Sequence, residues 1–394
     1  MRMQLPAYSP VEPTALVGAL VDMLRGSGGQ TSRLSEYLAT RFDASKVVLT
    51  GSGTQALQLA LTATARGDGG LGDNRLVALP AYSCYDVVTA AVGAGVRATF
   101  YDIEPATLTP NRESVTEVLR QGAGVVVAGN LYGFPLDWGW LIEECGRVGA
   151  VLIEDAAQGL GSGWRGKSSG SFGDYSILSF GRGKGWTAGE GGALLIRGAY
   201  DEIHVPSTTR VGISAWAALW GLWLMGRPAL YRFPTMVPGL GLGETRYRPP
   251  GRIEKMAPLV AALTYQLAAT AARNVEIRRA WAVRWTELFA EHKDATRQWA
   301  LCAPTEEAEC GYLRYPGCLR SERERESFLL RGRRYGVASG YPKSLPALPQ
   351  SRRIVAGHHM DTTGAEVLAR TLVTLPTHPR MTEHDLRSLA AKLV

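Results

Sequence analysis

The sequence predicts an α/β protein, a mostly parallel sheet with helices on both faces, followed by a smaller C-terminal α+β domain. Three observations carry this prediction. Seven short apolar runs between residues 46 and 197 alternate with stretches of helical period, the pattern of a parallel sheet covered on both sides. Glycine accounts for 46 of 394 residues, above its usual share of about 7%, as expected where strands turn tightly into helices. Beyond Leu240 the texture changes: Pro249, Pro250 and Gly251 break the chain, and a long helical pattern follows.

The predicted strands are KVVLT (46–50), LVALP (76–80), VRATFYD (96–102), GVVVAG (124–129), AVLIED (150–155), YSILSF (175–180) and GALLIR (192–197). Amphipathic segments such as Thr54–Ala65 and Trp138–Val148 lie between them and read as the covering helices. Met256–Phe289 reads as one long helix, and Ser321–Arg334 as a helix opened by a capping box of Ser321 and Glu324. The expected division is a large domain at 1–255, carrying an apolar insertion at about 211–240, and a linking helix with a small domain at 256–394.

Several classes are disfavoured. Five scattered cysteines form no CxxC pair and read as reduced thiols in a cytoplasmic protein. The six histidines show no metal-ligand spacing, so no metal is expected. A net charge of +7 suits anionic ligands but is weak for a chain that binds nucleic acid, and no such partner is expected. The amino terminus lacks the layout of a signal peptide. The uncharged run from 211 to 226 falls short of the ~20 residues of a spanning helix.

Ligands of a doubly wound sheet sit beyond the carboxyl ends of its strands, and three of these ends carry chemistry. The first is Gly51-Ser52-Gly53-Thr54 before a helix, where glycines and a helix N-terminus suit a phosphate; a plain turn with Thr54 as N-cap is the alternative. The second is Glu154-Asp155-Ala156-Ala157-Gln158; a carboxylate at a buried strand mouth needs a cation or strong donor, or serves as a buried cap. The third is Ser179-Phe180 followed by a glycine-rich loop holding Lys184. That lysine suits a phosphate or a Schiff base with a carbonyl, and its spacing is not that of a nucleotide P-loop. One cofactor accounts for all three: pyridoxal phosphate requires a phosphate cradle, a lysine for its aldehyde and a carboxylate for its ring nitrogen.

The chain resembles the DegT/DnrJ/StrS family of sugar aminotransferases, within the fold type I pyridoxal-phosphate enzymes. The resemblance rests on GSGTQAL (51–57), LPAYS with GVRATFYDIEPATLTP (79–110), NLYGFPLD (130–137), IEDAAQGLGS (153–162), GSFGDYSILSF (170–180), Lys184 with GEGG (189–192), and LVTLPTHPRMTEHDL (372–386). It implies that Lys184 is the Schiff-base lysine and proton shuttle, Asp155 the partner of the pyridine nitrogen and Gln158 the neighbour of the ring's 3-hydroxyl. Ser52, Gly53, Thr54 and Ser179 would form the phosphate cradle. It also implies a homodimer, an amino-acid donor (glutamate) and a nucleotide-linked keto-sugar as carbonyl acceptor. Keeping lysine at 184 favours transamination over sugar dehydration. The chain departs from the family pattern twice. Cys84, flanked by Tyr82 and Tyr85, stands where an aromatic ring usually covers the cofactor. Arg252 and Lys255 surround Ile253 where the neighbouring subunit usually supplies an asparagine. Two rivals stand beside this reading: the same chemistry on a lipid-like or lipid-linked carbonyl, and a regulator that binds the cofactor without turnover.

The lipid rival comes from the run at 211–240. Trp216, Trp220 and Trp223 fall on one helical face, bracketed by Arg210 and Arg227. Such a segment is either core, a dimer contact, or a peripheral contact with the inner membrane face.

Overall fold

The computed structural model describes residues 3–26, 28–65, 75–198, 205, 220, 221, 223, 224, 226, 227, 229, 230, 245–292, 297–356 and 361–392. Two helices, α1 (Pro13–Leu24) and α2 (Gln30–Phe42), precede the first strand, β1 (Lys46–Thr50). Then come α3 (Gly53–Ala65), β2 (Leu76–Pro80), α4 (Asp86–Ala94), β3 (Ala98–Tyr101), α5 (Arg112–Arg120), β4 (Ala123–Gly129), α6 (Trp138–Val148) and β5 (Val151–Asp155). Two short strands, β6 (Gly163–Trp164) and β7 (Lys167–Ser168), lead to β8 (Tyr175–Ser179) and β9 (Gly192–Ile196). All seven expected strands form, and they make one sheet in the order β1-β9-β8-β5-β4-β2-β3. The ladders from β3 across to β8 are parallel, whereas β9 runs antiparallel to both neighbours. The turn at Gly189 and Gly191, both at positive φ, sends the chain straight back from β8 into β9 without a crossover helix.

The ends of these elements are chemically explicit. Asn111 and Asp137 cap α5 and α6, accepting from Ser114 N–H at 2.8 Å and Trp140 N–H at 3.2 Å. The third strand is Ala98–Tyr101 rather than the expected 96–102: it begins two residues late, and it stops short of Asp102, which is used elsewhere. Its carboxylate accepts from Gly364 and Ala365 N–H, each at 2.8 Å, and so seats the first turn of a C-terminal helix.

The expected long helix at 256–289 is instead two helices, α7 (Pro258–Gln266) and α8 (Ala268–Glu291). Leu267 flattens to ψ −3° between them, yet its N–H still reaches Leu263 O at 3.0 Å and its carbonyl accepts from Ala271 N–H at 2.9 Å. The break is therefore a bend, and packing explains it. Val260, Ala261 and Leu263 lie in a core with α1, α2 and β9, while Ala282, Trp285, Leu288 and Phe289 belong to the core of the C-terminal unit. One straight helix would not serve both.

The C-terminal unit is α+β, as expected. Its strands β10 (Trp299–Leu301), β12 (Tyr315–Leu319), β13 (Ala338–Ser339) and β14 (Leu372–Leu375) form an antiparallel sheet in the order β10-β12-β14-β13. The helices α9 (Glu322–Gly332), α10 (Thr363–Thr371) and α11 (Glu383–Ala390) accompany it, while β11 (Ala308–Glu309) reaches back to pair with β6. The capping box expected at Ser321 is only half formed among the described residues: Ser321 Oγ accepts from Glu324 N–H at 3.3 Å, without the return bond. The complete box lies instead at α11, between Thr382 and Asp385.

Most of the 211–240 run, Trp216 included, lies outside the described residues. Trp220 and Trp223 are described: their rings meet edge to face at 5.5 Å and pack, partly buried, on the core of α1, α2 and α7. The Arg227 guanidinium stands 4.2 Å over the Trp223 ring. Among the described residues, no helix is long and apolar enough to cross a membrane.

Candidate active site

The carboxyl ends of β1, β5 and β8 bring the residues of interest to one edge of the sheet. At the first, α3 begins at Gly53, and the cap is Ser52, whose Oγ accepts from Gln55 N–H at 3.2 Å. The alternative of Thr54 as N-cap is thereby overturned, because the helix already includes it. Gly53 is pressed against the end of β8: a Cβ there would lie 2.7 Å from Ser179 Cβ and 3.0 Å from its Oγ. Gly192 faces the same turn, where a Cβ would come within 2.4 Å of Gly53 N. Two glycines thus let Ser52, Gly53, Thr54 and Ser179 cluster at the positive end of α3.

At β5, neighbouring carboxylates point to opposite faces, as the pleat demands. Glu154 is fully buried and accepts from Gly170 N–H at 2.7 Å, Phe172 N–H at 2.9 Å, Ser176 Oγ at 2.8 Å and Asn130 Nδ2 at 3.2 Å. It is a structural pin for the loop before β8. Asp155 turns to the site, where its Oδ1 accepts from Ala157 N–H at 3.1 Å. Burial raises its carboxyl above the usual range, the Lys184 ammonium opposes that rise, and the Asp86 carboxylate adds to it. Because β5 and β8 are adjacent parallel strands, Asp155 and the loop that carries Lys184 leave the sheet at the same edge.

Lys184 sits in a loop fixed from behind. The Ser9 hydroxyl donates to the Lys184 carbonyl at 2.6 Å, with the Gly185 carbonyl at 3.0 Å. Arg278, on α8 and 1% exposed, donates through Nη2 to Ser9 Oγ at 2.7 Å and to Gly185 O at 3.3 Å. Its Nε and Nη1 find no partner among the described residues, and burial lowers its pKa to about 10. Thr187 Oγ1 closes the other flank of the loop by donating to Gly181 O at 2.9 Å.

Gln158 is anchored on both sides, its Oε1 accepting from Tyr132 N–H at 2.9 Å and its Nε2 donating to the Tyr341 hydroxyl at 2.7 Å. Cys84 lies within electrostatic reach of Asp155, Lys184 and Asp86, and burial pushes its thiol up to about 12, so it stays neutral. Tyr82 and Tyr85 are buried and turn toward Tyr341, with ring separations of 5.5 and 6.4 Å. Arg252 and Lys255 are exposed, on a segment that lies along this chain's own first turn. Lys255 bridges to Thr50, Gly51 N–H donates to Glu254 O at 2.8 Å, and Gln55 Nε2 donates to Arg252 O at 3.0 Å.

Sequence reasoning missed Ser9, Arg278, Asp86, Tyr132 and Tyr341. Tyr132 lies within the NLYGFPLD stretch, Asp86 stands two residues after Cys84, and Tyr341 is an aromatic residue held between Gly340 and Pro342, so each carries a local signal. Ser9 and Arg278 become neighbours of Lys184 only through contacts between segments distant in the chain.

Comparison with known proteins agrees with this geometry. A family model for the DegT/DnrJ/EryC1/StrS aminotransferases matches residues 17–394. Among curated relatives, 3-amino-5-hydroxybenzoate synthase of Amycolatopsis mediterranei is 29% identical over 192 residues, 48% of each chain. GDP-perosamine synthase of Vibrio cholerae is 33% identical over 144 residues, 36% of this chain and 38% of that protein. The match thus spans about half or less of the length of these relatives. Among solved structures, a putative sugar aminotransferase of Streptococcus pneumoniae in its PMP form superposes with a TM-score of 0.75 at 19% identity, covering 99% of this chain and 96% of that one. Matched by the family model over nearly its whole length and sharing this fold, the chain belongs to the DegT/DnrJ/EryC1/StrS aminotransferase family.

Proposed function

We propose that this protein is a pyridoxal-phosphate-dependent aminotransferase that moves an amino group from an amino acid, glutamate, to the carbonyl of a nucleotide-linked keto-sugar. The observation that carries the reading is that the adjacent strands β5 and β8 bring Asp155 and the loop of Lys184 to the same sheet edge, beside a turn where only glycine fits against Ser179. This set fits the cofactor's three demands, for a carboxylate, an amine and a phosphate cradle. Bound there, the cofactor supplies an electron sink for the substrate carbon.

The chain's residues divide the work. The Asp155 carboxylate would hold the proton on the cofactor's ring nitrogen, and that charge would offset the burial that raises its pKa. Lys184 Nζ would hold the cofactor's aldehyde and is the group that would move a proton at the substrate carbon. Ser52, Gly53, Thr54 and Ser179 would hold the phosphate at the α3 terminus, and the Gln158 amide would serve the 3-hydroxyl. Cys84 would stand beside the ring as a small neutral thiol. In this reading residues 1–255 form the cofactor domain and 256–394 the smaller domain, in a homodimer. The named products of the relatives, an aminobenzoate and a GDP-linked amino-sugar, support an acceptor whose C=O becomes a C–NH2. The packing of Trp220 and Trp223 on the protein's own core favours the soluble acceptor over a lipid-linked one, and the intact Lys184–Asp155 pair favours an enzyme over a regulator.

The test is borohydride reduction of the holoenzyme followed by peptide mapping, then incubation of the pyridoxamine form with a panel of nucleotide keto-sugars and long-chain carbonyls. Label on Lys184 and return of the aldehyde absorbance with a keto-sugar are expected. Label on another lysine, or turnover with the long-chain carbonyls alone, would overturn the reading.

A further inference from the structure

The side-chain amide of Gln158 is held at both ends by residues that the sequence does not bring near it. A backbone N–H can only donate, so the bond from Tyr132 N–H identifies the acceptor end of the amide, and the other end must be the donor. That donor spends one of its two hydrogens on the Tyr341 hydroxyl at 2.7 Å. Tyr341 is itself firmly placed. Its N–H donates to the Tyr82 hydroxyl at 2.8 Å, and its ring lies 6.2 Å from Tyr132 in a near-parallel stack.

The two partners belong to different sheets. Gln158 follows β5 of the large sheet, whereas Tyr341 comes two residues after β13 of the C-terminal sheet. Gly340, between them, donates its N–H to Leu372 O, and a Cβ on it would fall 2.0 Å from the Tyr82 hydroxyl. The approach is thus tight enough that any shift of the C-terminal sheet relative to the large one is felt at Gln158. Burial also keeps the Tyr341 phenol protonated, its pKa lying well above the usual value.

We propose that Tyr341 is a positioning residue: its hydroxyl fixes the Gln158 amide toward the cofactor and so links the seating of the C-terminal domain to the hold on the cofactor. This rests on the reading of Gln158 as a cofactor contact given above. The hydroxyl, not the ring, carries the effect, so Tyr341→Phe separates positioning from packing. A merely structural Tyr341 would act the same whether or not Gln158 were present.

The experiment uses holoenzyme of the wild type, Tyr341→Phe, Gln158→Ala and the double variant. Two quantities are read: the rate of cofactor loss on dilution, and the pH midpoint of the cofactor's visible absorbance. Loss of one hydrogen bond is expected to speed release about 3- to 10-fold in Tyr341→Phe and to move the absorbance midpoint. On the Gln158→Ala background the same change should add nothing. Equal factors with and without Gln158, or wild-type values of both quantities in Tyr341→Phe, overturn the inference. Borohydride mapping separates the two levels. Wild-type label absent from Lys184 overturns the proposed function and this inference with it; label on Lys184 with additive variants overturns the inference alone.

Discussion

Gly53→Ala puts one methyl group where the structure has none to spare. The added Cβ would sit 2.7 Å from Ser179 Cβ, 3.0 Å from Ser179 Oγ and 3.3 Å from Leu178 O. The nearest of these, Ser179 Cβ, is fixed to the backbone of β8 and cannot rotate away as Oγ can, and Leu178 O is itself β8 backbone. Either the first turn of α3 or the end of β8 must move, an overpacking cost of about 1–3 kcal/mol. For a chain of this length, that cost lowers the melting temperature of the apo protein by about 1–4 °C. Because the displaced groups are the proposed phosphate contacts, cofactor affinity should fall as well, by about 2- to 13-fold for the loss of one such hydrogen bond. Thermal unfolding of the apo protein and cofactor titration by absorbance read the two effects separately. Adding Ser179→Gly to Gly53→Ala removes the colliding Cβ, so it should restore melting but not affinity, since the Ser179 hydroxyl is gone. Wild-type melting and affinity in Gly53→Ala would refute the argument that this turn and strand end are pressed together.

If the proposed function holds, Asp155→Asn should lower turnover by orders of magnitude, because the cofactor's ring nitrogen would lose the charge that holds its proton. In the apo protein the sign is opposite: folding raises the Asp155 pKa, so the wild-type carboxylate favours folding when protonated and loses that advantage as pH rises through its folded pKa. Melting of the apo Asn variant should gain on the wild type as pH rises from the ordinary carboxylate range through the raised folded pKa of Asp155, and a gap that shrinks with rising pH would contradict the assignment. His378 is buried, and because its Nε2 donates to Leu5 O at 2.8 Å, its Nδ1 is free to accept from Arg380 N–H at 3.2 Å. Its pKa falls from 6.5 to about 4, so its contribution is complete above pH 6.5 and is lost as pH falls toward 4, by about 3 kcal/mol in all. His378→Gln should flatten that part of the acid limb in chemical unfolding; an unchanged limb would place the lost stability elsewhere. Ser9→Ala strips an acceptor from Arg278 and a donor from the Lys184 carbonyl, which should cost about 1–3 kcal/mol and slow the trapping of cofactor on Lys184; trapping at the wild-type rate would mean that the loop keeps its shape without Ser9.

Local chemistry made the large sheet legible. Runs such as GVVVAG and AVLIED are apolar and β-branched because both faces of a central strand are buried, and they read as strands with only single-residue errors at their ends. Gly53, Asp155, Ser179 and Lys184 were legible for the related reason that a strand end, a glycine and a charged group stand next to one another in the chain. The misread elements were those set by distant contacts. The bend at Leu267 answers to two cores, and β3 ends early because Asp102 serves α10, far along the chain. At Ser321 the residues for a capping box are present, but only one of its two bonds forms.

The sequence by itself determined the fold class, the seven strands of the main sheet and the candidate groups at three strand ends, since each follows from periodicity and nearest neighbours within a dozen residues. Only the tertiary structure decided which groups stand together. It turned Glu154 inward and Asp155 outward, drew Ser9 and Arg278 behind Lys184, and set Tyr341 against Gln158 across 183 residues. The physical reason is that hydrogen bonds and burial act over a few ångströms of space, and no spacing along the chain records which distant segments packing will bring within that range.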